Sequence, residues 1–82
     1  MKNGDIVYFV DKKAKFYFDM KLIQKIHKKE YNIDIYKCKI LMNKYKFNNK
    51  AFKENFDLRG KIDCYSILSL VNNIQEAEEA IK

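Results

Sequence analysis

The sequence predicts a mainly β domain of about five strands with one short helix at its C-terminal end. Three observations carry this. β-Branched and aromatic residues gather in runs of strand length, apolar and charged residues alternate at period two over residues 15–27 and 33–42, and the best-capped amphipathic helix pattern falls at 73–81. The chain has 82 residues, 48% of them hydrophobic and twelve of them Phe or Tyr. That is the composition of a folded chain with one thin core, because a domain this small buries only about 60% of the surface its unfolded form exposes. Residues 1–82 are expected to form a single domain.

The elements follow in order. Residues 5–11, Asp5-Ile-Val-Tyr-Phe-Val-Asp11, are an apolar run bounded by aspartates, the pattern of a strand covered on both faces. Lys12, Lys13 and Ala14 make a turn. Over 15–27, Phe16, Phe18, Met20, Leu22 and Ile26 alternate with Asp19, Lys21 and Lys25, which predicts a long bent strand. A helix from Asp19 is the competing reading, since Leu22, Ile23 and Ile26 would share one helical face; period two covers more of the segment. After a polar turn at 28–32, a third strand at 33–42 places Tyr36, Cys38, Ile40 and Met42 on one face. A fourth strand segment, 44–53, is expected to turn back on itself at Asn48-Asn49-Lys50, because asparagine tolerates positive φ. Gly60 supplies the next turn, before a last strand at 61–67. In the helix at 73–81, Asn73 is the N-cap and Glu76 completes a capping box. Ile74, Ala77, Ala80 and Ile81 form its apolar stripe. Two turns of helix are unstable alone, so this one must lie against the strands.

The net charge is +6, from sixteen lysines, one arginine and eleven acidic residues. Arginine grips phosphates and guanine edges bidentately, so its near absence weakens a nucleic-acid reading. Ile, Lys, Asn, Tyr and Phe supply 46 of the 82 residues, the set that AT-rich codons favour, and this accounts for much of the charge. The distribution is uneven: residues 1–62 carry net +9 and residues 63–82 net −3.

Chemistry-bearing residues are sparse. Cys38, Cys64 and His27 fall short of the four ligands of a structural zinc site, and both thiols are expected to be free and buried. His27 has no nucleophile or orienting acid in a recognisable motif and is expected at a partly exposed strand end. Ser66 and Ser69 read as polar strand and turn positions, and two glycines cannot build a phosphate-cradling loop. No catalytic residue, metal or cofactor is therefore expected, and the chain is expected not to be an enzyme. No apolar run approaches 18 residues and the N-terminus lacks a signal-peptide layout, so a cytoplasmic protein with no membrane partner is expected.

Two features point to binding. Lys44, Lys46, Lys50 and Lys53 are interleaved with Tyr45, Phe47 and Phe52, a candidate nucleic-acid contact. Strand alternation would put Lys44 and Lys46 on one face and Tyr45 and Phe47 in the core, leaving only weak, non-specific electrostatics. The second feature is the aromatic set itself. A core of this size hides half to two-thirds of it, and the remainder is expected at the surface as anchors for a protein partner or a second copy of the chain.

The opening Gly4-Asp-Ile-Val-Tyr-Phe-Val-Asp11 and the closing Ser69-Leu-Val-Asn-Asn-Ile-Gln-Glu-Ala-Glu-Glu-Ala-Ile-Lys82 resemble the small SH3-like barrel proteins of phages and other mobile elements of Firmicutes. The resemblance covers the two ends of the chain. It implies an SH3-like barrel and an accessory role in the cytoplasm of a bacterial host. In that role the chain would be a non-catalytic inhibitor of a nucleic-acid-targeting defence system, of the anti-CRISPR type, that occludes a surface of a host protein or ribonucleoprotein complex. A basic SH3-like nucleic-acid-binding module is the alternative.

Overall fold

Residues 1–55 and 57–82 are described by a computed structural model. Alternation produces the strands where the sequence predicts them: β1 (Ile6–Asp11), β2 (Phe16–Lys28) and β3 (Ile33–Lys46) form an antiparallel meander. The turns between them use Lys15 and Asn32 at positive φ, and the Asp11 carboxylate accepts the Ala14 N–H at 2.8 Å to hold the first. The chain continues through a short helix α1 (Lys50–Asn55), β4 (Ile62–Ser66), a 3₁₀ turn (Ile67–Ser69), β5 (Leu70–Val71) and helix α2 (Ile74–Ala80). Among the described residues the fold is mainly β, with five antiparallel strands in one sheet of order β4-β3-β2-β1-β5 and a short C-terminal helix.

The sheet is curled but not closed. Ser66 ends β4 at one edge and Leu70 begins β5 at the other. Four residue steps reach at most about 14 Å, whereas the edges of a flat five-stranded sheet lie roughly 19 Å apart. The strands must therefore wrap around their own inner face. Val7, Phe18, Met20, Leu22, Cys38 and Ile40 fill that face, all essentially without solvent contact. Covering of both faces explains the continuous apolar run of β1. Val7 points into the curl, while Tyr8 and Val10 join Tyr17 on the outer face, where Ala77 of α2 and Ile81, the residue after it, cover them.

α2 has the predicted N-cap Asn73, but the return bond of Glu76 goes to the residue before the cap and not to the cap itself. The Asn73 side chain accepts the Glu76 N–H at 2.9 Å, and the Glu76 carboxylate reaches back to the Asn72 N–H at 3.0 Å. Loss of this cap in Asn73→Ala is expected to lower stability by about 1 kcal/mol, read as the shift of a urea unfolding midpoint. An unchanged midpoint would place the start of the helix elsewhere.

Three expectations are corrected. The strand segment 44–53 does not form a hairpin. β3 runs on to Lys46 through a bulge, and residues 50–55 are helical. Asn49 acts as a helix cap, its side chain accepting the Phe52 N–H at 2.6 Å, and Ala51, Lys53 and Glu54 are good helix formers. Cys38 is buried, but Cys64 is exposed, because it lies on the uncovered face of the edge strand β4 opposite Lys37. Both thiols are free, and burial pushes that of Cys38 up to about 11. Finally, β5 pairs with β1 through two register positions, Tyr8 with Val71 and Phe9 with Leu70, where the sequence predicts no strand.

Candidate functional site

The cleft that carries the sequence-predicted lysines begins with the bulge in β3. Between the pairs Met20–Ile40 and Phe18–Tyr45, one residue of β2, Asp19, faces four of β3. The surplus residues are taken up in a bulge with Met42, buried in the core, at φ 52°, and the buried Asp19 carboxylate holds it. One of its oxygens accepts the N–H groups of Asn43 at 2.7 Å and Lys44 at 2.8 Å. This reorients the end of β3. The surplus switches the alternation, so that Tyr45 pairs with Phe18 and Phe47 stacks on Phe16 with ring centroids 5.2 Å apart, while Tyr45, near the strand end, stays 37% exposed.

Tyr45, Lys46 and Phe47, with the capping Asn49 and Lys50 and Lys53 of α1, then line an open cleft of about 360 Å³. Three of the four sequence-predicted lysines thus share it. Lys44 lies outside, its backbone tied to Asp19. Two of the three are engaged within the chain. The Lys53 ammonium donates to the Tyr45 hydroxyl at 2.7 Å and sits 4.4 Å from the centre of its ring, which holds the Tyr45 hydroxyl below the usual phenol range. Lys46 pairs with Glu78 of α2 at 3.2 Å, and the Tyr17 hydroxyl donates to the other Glu78 oxygen at 2.5 Å. The Tyr17 hydrogen bond, followed by that of Lys46, holds the Glu78 carboxyl low. Burial, reinforced by the bond to Glu78, pushes the Tyr17 phenol up to about 12. Among the described residues, the side chains of Lys44 and Lys50 have no hydrogen-bond or ion-pair partner.

The remaining residues singled out from sequence are spread over the molecule. His27 stands near the end of β2, half exposed, with Nδ1 2.8 Å from Asp34 across the hairpin; this hydrogen bond is the main reason the Asp34 carboxyl is held low. Ser66 caps the 3₁₀ turn by accepting the Leu68 N–H at 3.2 Å. Among the described residues there is no cluster of three or more His, Cys, Asp or Glu suited to a metal ion, and no helix is long and apolar enough to cross a membrane.

Most of the exposed large apolar side chains are aliphatic. Of the aromatic set, Tyr31 and Tyr45 are exposed; Tyr8, Phe16, Tyr17, Phe18 and Tyr36 are buried; and Phe9, Phe47, Phe52 and Tyr65 are half-buried. Phe56 lies outside the described residues. Ile6, Ile23 and Ile33 are exposed on β1, β2 and β3, and three more large apolar side chains are exposed along the edge strand β4 and the turn that follows it. Ile62 is 54% exposed on β4, and the 3₁₀ turn that follows offers Ile67 at 45% and Leu68 at 90%. Sequence reasoning missed this edge, because an isoleucine or leucine gives no sign of facing water until the topology leaves its strand unpartnered. Compared with known proteins, the chain matches no family model, no curated protein and no solved structure.

Proposed function

We propose that this chain is a non-catalytic binding protein of the phage or mobile-element type, built on an SH3-like half-open barrel. It works by occluding a protein surface of a host nucleic-acid-targeting complex. One observation carries the protein-binding part: β4 is an edge strand that begins with Ile62, 54% exposed, and runs directly into the exposed Ile67 and Leu68, the latter 90% exposed. An open edge offers backbone N–H and C=O groups to a partner, and an apolar tip gains affinity by desolvation. A basic body, net +9 over residues 1–62, favours approach to the acidic surfaces of such a partner.

Nucleic-acid binding is the second reading, and the shared cleft of Lys46, Lys50 and Lys53 beside the exposed Tyr45 is what favours it. It ranks lower because Lys53 already lies over the Tyr45 ring, where a base would have to stack, and Lys46 is paired with Glu78.

The test is affinity capture from a candidate bacterial host lysate with wild-type bait and with Leu68→Asp. Leu68 has almost no packing to lose, so the variant should fold normally. A partner held by the wild type and lost with Leu68→Asp is the expected result. A partner retained equally by both baits removes the edge from the function.

A further inference from the structure

A second cavity, of about 250 Å³, opens where the curled sheet fails to close. β1 and β4 are not neighbours in the sheet, so side chains alone span the gap between them. The Phe9 ring lies 5.3 Å from that of Tyr65 and 5.2 Å from that of Phe18. Phe16 and Phe18, both buried, line the cavity together with the half-buried Phe9 and Tyr65. Its charged lining is Asp11, at the end of β1, and Asp63 on β4. In a chain of net charge +6, no basic residue among the described residues lines this cavity.

Both carboxylates are oriented and half used. One oxygen of Asp11 accepts the Ala14 N–H and one oxygen of Asp63 accepts the Cys64 N–H, each at 2.8 Å. Among the described residues, the second oxygen of each has no hydrogen-bond or ion-pair partner. Aromatic faces carry negative quadrupole potential, and two carboxylates beside them add to it, so the complementary guest is an organic cation. Its size is bounded too: the volume falls below the ~300–1,000 Å³ of sites for drug-sized ligands and suits one side chain. Guanidinium fits better than ammonium, being planar, able to stack on rings, forked toward carboxylates and more weakly hydrated.

We propose that this cavity binds the guanidinium of an arginine side chain presented by a protein partner. For the source of the arginine, this rests on the protein-binding reading above; the affinity of the cavity for guanidinium stands apart from it.

The probe is an acetylated, amidated Gly-Arg-Gly peptide, titrated while the aromatic ring signals are followed by NMR. Its counterpart carries citrulline, the neutral isostere. A single side chain has few atoms to contribute, so a dissociation constant in the millimolar range is expected. Shifts should centre on Phe9, Phe18 and Tyr65, with the citrulline peptide at least about tenfold weaker. Asp11→Asn/Asp63→Asn keeps both carbonyl acceptors and should weaken the arginine peptide by a similar factor. The citrulline comparison needs no variant and stands if that one fails to fold. Equal binding of both peptides, shifts centred on Tyr45, or no ring shifts up to roughly 50 mM peptide would each overturn the proposal, since a weaker site would lie beyond the usual range of specific binding. The Leu68→Asp variant should give the same arginine titration as wild type. Failure of capture with a normal titration therefore removes the partner and leaves the cavity, and the reverse pattern removes the cavity alone.

Discussion

Asp19→Ala is expected to destabilise the protein by about 3 kcal/mol, because hydrogen bonds to a charged group contribute ~1.5–3 kcal/mol each and the variant loses two. The Asp19 carboxylate is 4% exposed and accepts from both Asn43 and Lys44. Truncation leaves two N–H groups without their acceptor in a bulge that already holds Met42 at positive φ. Asp19→Asn keeps an acceptor and loses the charge, so it should fall between wild type and alanine. Urea unfolding followed by circular dichroism measures all three. An alanine variant within about 0.5 kcal/mol of wild type, the range of ordinary surface substitutions, would mean that the bulge is held by something else. Tyr45 and Lys46 follow the bulge directly, so the same variant should also disturb the basic cleft.

Phe18→Ala is expected to cost about 4 kcal/mol, within the usual range for a fully buried aromatic cut back to a methyl group. Phe18 sits at the centre of the curl, 2% exposed, with its ring against Phe9 and near Phe16. A domain this small has a total stability of roughly 5 kcal/mol, so the variant should be largely unfolded at low urea. Tyr31→Ala is the control: the tyrosine is 72% exposed in the β2–β3 turn and its loss should be nearly neutral. A Phe18→Ala protein that unfolds at the wild-type midpoint would place the core elsewhere.

These two residues mark how far the sequence is legible. Phe18 belongs to a period-two pattern that runs through β2, and such a pattern encodes both the strand and the face it buries. The same holds for Cys38 and Ile40 on β3, and for Asn73 and Glu76 at the start of α2, where the cap is local chemistry. Asp19 sits in the same alternation as a charged residue and gives no sign that it is buried; its role depends on a bulge in a strand more than twenty residues away. Asn49 was ambiguous for a local reason, since asparagine suits both a hairpin turn and a helix cap, and the helix formers after it decide the outcome. β5 is two residues long and exists only because β1 is there to pair with it. The lysines of the basic cleft were visible as a charged stretch. Their grouping was not, because Lys46 reaches the cleft from β3, whereas Lys50 and Lys53 reach it from a helix. The cavity between β1 and β4 belongs to tertiary structure entirely.

The salt dependence of oligonucleotide binding tests most directly the proposal that the chain binds protein rather than nucleic acid. Fluorescence anisotropy with labelled single-stranded and duplex oligonucleotides, taken at about 50 and 200 mM salt, separates the two readings because phosphate contacts are lost to counterion competition over that range. Weak, sequence-independent binding is expected at the lower salt, absent at the higher, and removed by changing Lys44, Lys46, Lys50 and Lys53 to Glu. Micromolar or tighter, sequence-selective binding that persists at the higher salt in the absence of any protein partner would contradict it.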